Sequence, residues 1–379
     1  MKKLITILVF VSAAALPHLA GAGLGPPPPP PPPEPVVERN PDLCSAERPG
    51  ACLDGVGGGV TSLDSLRVNR AALGNPAATS EERAQQQARG GAPGLVSGMS
   101  ASTGTAGAWT VWGSGSWSGY EGTVAIAPYE ADTYNLLVGA DRFFGERLLA
   151  GFTLGYENTE TETRYNGGGQ DRDGFQVGLY GAYLINDVFS IDAALGYAAL
   201  DTDETRIDTG AIRVGTVATP GATLRGSYDA DRAFGTVNLN AVKTFGDWVL
   251  GGRVGALYAV ESQDAYAETG GGGARTVGKR HLDLTQAYAS VDLGYSAGEF
   301  EPYVLLGYRN DLGSDDGNSA GGLPGGVRTT PDDDDDWQGA LGVRYFGRSG
   351  ISGSLEWLRT FGRDKFEEDV VTATVRVPF

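Results

Sequence analysis

The chain has 379 residues, with 47 acidic against 29 basic side chains and a formal net charge of -18. That balance argues against nucleic acid as a partner, because binding it rests on Lys and Arg neutralising phosphates. Gly supplies 59 residues, about double the usual ~7%, with no collagen period.

The first element in chain order is a secretory signal peptide over residues 1–22. Lys2 and Lys3 form a positive n-region, Leu4 to Ala15 an apolar h-region, and Ala20-Gly21-Ala22 a small-residue cleavage site. Its removal leaves a mature chain starting near Gly23 with 27 basic against 47 acidic residues, a charge of -20. No later stretch approaches the ~18 to 20 apolar residues of a transmembrane helix. That leaves soluble export or a barrel.

Residues 23–78 read as a Pro-rich, low-complexity and largely disordered arm, too poor in large apolar side chains to bury a core. GPPPPPPPPEP forms an extended polyproline segment, because Pro fixes φ and removes backbone donors; at ~3.1 Å per residue it spans about 25 Å. Cys44 and Cys52, in DLCSAERPGAC, read in an exported protein as one small disulfide loop, with a metal or redox pair as the alternative. Residues 79–107 form a linker with a short helix, in which Thr79 caps, Glu82 reaches back to it and Gly90 ends the run.

From Ala108 to Phe379 the texture changes to twelve runs of about ten residues with period-two alternation, the pattern of transmembrane β-strands with one lipid-facing and one lumen-facing side. In the fifth, Phe189, Ile191, Ala193, Leu195 and Tyr197 share one face, opposite Ser190, Asp192, Ala194 and Gly196. The last, VTATVRVPF, sets Val375, Val377 and Phe379 opposite Thr374 and Arg376. Even-to-odd joints are tight, at Gly145-Glu146, Asn186-Asp187, Gly246-Asp247, Gly298-Glu299 and Arg348-Ser349-Gly350. Odd-to-even joints read as long and polar, as in NTETETRYNGGGQDRD and LGSDDGNSAGGLPGGVRTTPDDDDD. Short periplasmic turns and long external loops belong to outer-membrane barrels, so both barrel ends fall on the periplasmic side and the strand number is even. The fold class is therefore all-β: a twelve-stranded antiparallel transmembrane barrel over 108–379.

Asp192, Arg253, Asp292, Arg344, Glu356 and Arg376 fall on the inward register and are expected to line a watery lumen. Trp109, Tyr156, Tyr183, Tyr197, Trp248, Tyr258, Tyr295 and Trp357 lie near strand ends, where interfacial girdles form. No catalytic, cofactor-binding or metal residue is assigned, and the chain does not read as an enzyme. The mature chain's one histidine, His281, with Asp264 and Asp283 nearby, lacks specific catalytic spacing and reads as an exposed junction residue. The run Asp332 to Asp336 lacks the spaced ligands and turning glycine of a calcium loop and reads as a solvated external charge run.

AWTVWGSGSW, LLAGFTLGYENTETETRY, DGFQVGLYGAYLINDVFSIDAALGYAALDTDETR and the final VRVPF resemble the β-domain of the autotransporter (type V secretion) family. The resemblance implies a twelve-stranded barrel in the outer membrane of a Gram-negative bacterium, a helical linker threaded through the pore and a passenger exported to the surface. It also implies that Phe379, Val377 and Val375 form the signal read by the barrel-assembly machinery. Pro378 departs from that pattern, and residues 23–78 lack the β-helical repeats of the family's passengers. The expected function is a translocator barrel with a very short N-terminal passenger. The alternatives are a small passive porin-like channel and a surface adhesion protein, either with a periplasmic N-terminal arm. Expected partners are outer-membrane lipid, lipopolysaccharide through shared cations, and the assembly machinery, with the barrel a monomer and no cofactor.

Overall fold

The computed structural model describes residues 109–379 apart from 124–127, 146, 164–166, 208–212, 215–216, 219–221, 272–273, 275, 316–333 and 348–349. The expected signal peptide, the Pro-rich arm, the Cys44–Cys52 pair and the linker helix lie outside the described residues.

Twelve strands build the fold: β1 (Trp109–Gly122), β2 (Tyr129–Phe144), β3 (Leu148–Thr163), β4 (Gly168–Leu184), β5 (Phe189–Ile207), β6 (Thr223–Phe245), β7 (Trp248–Gln263), β8 (Arg280–Tyr295), β9 (Phe300–Asp315), β10 (Asp335–Phe346), β11 (Ser352–Phe361) and β12 (Phe366–Pro378). Each pairs antiparallel with its sequence neighbours, and β1 pairs with β12 to close the cylinder. Closure removes both sheet edges, so no row of unpaired backbone groups faces lipid. At the seam Thr110 stands opposite Pro378, and the Phe379 amide donates to the Trp109 carbonyl at 2.9 Å. The final residue is thereby tied to the first strand through its backbone.

The five even-to-odd connections are tight, and all lie at the same end as this seam. β6 and β7 are joined by Gly246-Asp247 alone, with Gly246 at φ 63, a left-handed conformation that side chains with a Cβ resist. Asn186 serves the β4–β5 turn differently: its Oδ1 accepts the amides of Val188 and Phe189, each at 2.9 Å. A side-chain acceptor there replaces the conformational freedom of glycine.

At the other end the structure corrects the expected loop lengths. The polar segment around NTETETRYNGGGQDRD is mostly strand: β3 runs to Thr163 and β4 starts at Gly168. The Thr-rich alternation sustains pairing after the apolar signal has ended, as in Thr159 opposite Arg172 and Thr161 opposite Gln170. The strands accordingly range from 10 residues in β11 to 23 in β6, against the ~9 to 11 that cross a bilayer. The tallest wall is centred on β5 and β6, of 19 and 23 residues. Its top is sealed where the β7–β8 connection folds back on β6: Arg225 and Thr269 exchange backbone hydrogen bonds, Tyr266 stacks on Tyr228 with centroids 4.9 Å apart, and Arg206 pairs with Glu268 at 2.6 Å.

All eight girdle aromatics expected from the sequence are exposed on the outer surface. They form two belts: Trp109, Tyr183, Trp248 and Tyr295 near the seam end, and Tyr156, Tyr197, Tyr258 and Trp357 higher up. Trp248 and Tyr258 are ten residues apart on β7, which at ~3.3 Å per residue and ~40° tilt gives a height of about 25 Å, the apolar band of an outer-membrane barrel. The tips of the outer belt are anchored to carboxylates on the next strand: Trp117 Nε1 donates to Asp132 at 2.8 Å, and Trp357 Nε1 to Asp369 at 3.0 Å.

Inside, large rings lie over glycines on adjacent strands. A Cβ on Gly196 would come within 2.0 Å of the Phe234 ring, so the glycine leaves the space that this side chain fills.

Candidate functional site

The lumen is the candidate site, since the alternation of every strand delivers its polar side chains there. Three of the six sequence-expected charges come together around β8–β11. Arg344 Nη1 lies 3.1 Å from Asp292 and 2.9 Å from Glu301, and its guanidinium sits 3.9 Å from the centroid of Tyr303. Tyr303 in turn donates to Glu356 at 2.6 Å. On the neighbouring wall Asp192 accepts from Asn238 at 2.7 Å and from Asn240 at 2.5 Å, while Arg253 Nε donates to the Asn240 carbonyl at 2.9 Å. Arg376 stands apart, at the seam. It pairs with Asp141, which also accepts the Tyr180 hydroxyl at 2.8 Å; that hydroxyl accepts from Trp112 Nε1 at 2.6 Å. This chain fastens β12, β2, β4 and β1 to one another around the closing pair. Val375, Val377 and Phe379 lie on the opposite face of β12 and are exposed.

Higher in the lumen lie two charge networks that the sequence reading missed. In the first, Arg232 on β6 is fully buried between Glu157 on β3 and Glu261 on β7, at 3.0 and 2.9 Å, and Arg172 on β4 approaches Glu261 at 3.2 Å. Two guanidinium groups match two carboxylates. In the second, Arg309 Nε donates to both oxygens of Asp336 at 2.9 Å, and Arg363 reaches Asp336 and Asp311 at 3.1 Å each. Desolvating such charges costs several kcal/mol per ion unless they are paired and hydrogen-bonded, as these are. All but Arg309, which lies two residues inside its run, sit at or beyond the ends assigned to the strands: Arg172 and Glu261 lie one residue outside runs read as starting at Asp173 and ending at Val260. Extending the every-second-residue count through the threonines finds them.

Asp336 also overturns part of the external charge run. Asp334 to Asp336 are the described members; Asp336 is 1% exposed and turned inward, while Asp335 accepts the Tyr308 hydroxyl at 3.0 Å. Arg309 and Arg363 give it the partners a buried carboxylate requires.

The wall of β1, β2 and β4 is different. Ser118, Asn135 and Gln176 are buried, yet the Ser118 hydroxyl and both amide atoms of Asn135 and of Gln176 make no hydrogen bond within the structure. Each such group costs about 1 to 3 kcal/mol if left unmade, so this strip offers donors and acceptors to whatever occupies the lumen.

His281 is on the outer surface, facing away from the lumen, with Nδ1 3.0 Å from Ser262 Oγ. Asp264 is engaged instead with Lys279, whose Nζ lies 2.8 Å away; its carboxylate accepts a hydrogen bond from the exposed ammonium and, with that bond and its charge, holds it above the usual lysine range. Among the described residues no three His, Cys, Asp or Glu side chains are grouped to hold a metal ion.

The autotransporter β-domain family model matches residues 110–357, more than half of the chain. The fold is similar to the translocator domain of autotransporter NalP from Neisseria meningitidis, at 14% identity and a TM-score of 0.58, covering 81% of this chain and 98% of that one. It is similar also to the β domain of the Bordetella autotransporter BrkA, at 16% identity and a TM-score of 0.55, covering 71% and 98%. No curated protein sequence matches the chain.

Proposed function

This chain belongs to the autotransporter β-domain family, and from that premise we propose that its outer-membrane barrel is the translocator of its own N-terminal segment. The observation that carries the reading is a closed twelve-stranded barrel whose tight turns and seam share one end. Residues 1–22 direct export and are removed. The seam end faces the periplasm of a Gram-negative cell, residues 23–78 pass outward as the passenger, and the linker at 79–107 stays in the lumen. Pairing inside both upper networks supports this role: their charges are spent on one another, so a polypeptide of mixed charge meets no large single-sign field. The strip of Ser118, Asn135 and Gln176 supplies hydrogen bonds to a backbone within the pore. The barrel acts as a monomer and as a transport device rather than an enzyme. Phe379, Val377 and Val375 are recognised by the assembly machinery, and the acidic outer rim meets lipopolysaccharide through shared cations.

Surface labelling of intact, mildly reduced cells with a membrane-impermeant thiol reagent tests the reading. Modification of Cys44 and Cys52 is the expected outcome. Modification only after the outer membrane is permeabilised would leave the arm in the periplasm and reject export.

A further inference from the structure

Outside the lumen, the lipid-facing wall carries a long groove of about 420 Å³, within the roughly 300–1,000 Å³ of small-molecule sites. Two cross-strand rows border it. One runs Phe189, Ala241, Gly252, Val291 and Leu306; the other runs Leu239, Val254, Ala289, Tyr308 and Trp337. Ala241, Gly252 and Ala289 make a low floor, with larger side chains rising on either side. From β5 to β10 the rows cross five strand spacings, about 24 Å at ~4.8 Å each, and strand tilt makes them climb from Phe189 at the seam end to Trp337 at the outer belt. Volume over length gives a mean cross-section of under about 20 Å², the width of one extended hydrocarbon chain.

A second observation fixes what else the occupant carries. Lys243 lies two residues from Ala241 on the same outward face of β6, at the seam end of the groove, and is exposed. Among the described residues its ammonium has no ion-pair partner. It sits beside Phe245, Trp248 and Leu250, at the depth of the interfacial belt, where lysines extend towards lipid headgroups.

We propose that this groove and Lys243 form a site for an anionic phospholipid of the periplasmic leaflet, with the net-negative phosphate headgroup on the Lys243 ammonium and one acyl chain along the floor over Gly252. The Coulomb term and apolar burial then act on one molecule. A second copy of the barrel fits less well, because a two-fold contact sets the same patch against itself and a groove cannot fill a groove. The leaflet assigned to the site rests on the orientation given under Proposed function; the site itself rests on the wall.

The test uses the full chain in phosphatidylcholine nanodiscs carrying a trace of chain-spin-labelled phosphatidylglycerol, with the motionally restricted fraction read against labelled phosphatidylcholine. The parent is expected to hold an excess restricted component. Gly252→Leu should abolish it by filling the floor; a Cβ there meets only the Ser290 carbonyl oxygen, at 3.8 Å, so the barrel should tolerate the change. Lys243→Gln should weaken it by about two- to fivefold, the scale of a partly exposed ion pair. No excess in the parent, or an unchanged excess in both variants, overturns the site, as does a groove-to-groove cross-linked dimer. Failure of the barrel reading would appear separately, as a protein lacking a heat-modifiable folded band in all three forms.

Discussion

Arg232 on β6 and Glu157 on β3 form an ion pair with two strands between them: Nη1 lies 3.0 Å from both carboxylate oxygens. The pair draws the tall wall together from inside, and Glu261 completes the coordination of the same guanidinium.

Removing that guanidinium takes a close cation from two buried carboxylates, Glu157 and Glu261, and leaves one guanidinium, Arg172, for the pair. Arg232→Ala is expected to cost about 3 to 5 kcal/mol and to lower the temperature at which the folded band converts on a heat-modifiability gel. Adding Glu157→Gln should recover part of the loss, since it removes the one carboxylate in excess and leaves Arg172 paired with Glu261.

Gly196 is required by the ring that covers it. Gly196→Ala sets a methyl group where Phe234 already lies and should destabilise the barrel by about 1 to 3 kcal/mol, read as a lower midpoint in denaturant. Pairing it with Phe234→Leu should relieve the clash, which no general loss of strand propensity would predict.

Asp173, Asp201 and Asp229 stand directly opposite one another across β4, β5 and β6, all exposed above Tyr197. Like charges so placed oppose pairing, so Asp201→Asn should stabilise by about 0.2 to 1 kcal/mol. The gain should shrink as salt rises, because exposed charges are screened. Thermal unfolding at low and high ionic strength measures both.

The β4–β5 turn depends on one side chain. Asn186→Ala removes the acceptor of two backbone amides and should cost about 1 to 2 kcal/mol, whereas Asn186→Asp, which keeps an acceptor oxygen at the same position, should cost less. Equal losses in the two variants would contradict this account of the turn.

Phe379 separates assembly from stability. Its ring is 72% exposed, while its amide bonds to Trp109. Phe379→Ala keeps the amide, so the conversion temperature should stay close to that of the parent while the yield of folded barrel in the outer membrane falls. A fall in both would make Phe379 a structural anchor rather than part of an assembly signal.

Twelve strands, their parity, both aromatic belts and the inward side of Arg344 or Asp192 were legible in the residue order, because a strand's period is two and the bilayer demands one apolar face. Where the chain leaves the bilayer that demand ends and both faces turn polar, so the alternation that marks a strand fades although pairing continues; this is why β3 to β6 read as short and Arg172 and Glu261 went unseen. Which charges meet was settled by closure alone. Arg232 finds Glu157, and Arg376 finds Asp141, because strand tilt and stagger bring distant registers to one height, and no spacing along the chain encodes that height.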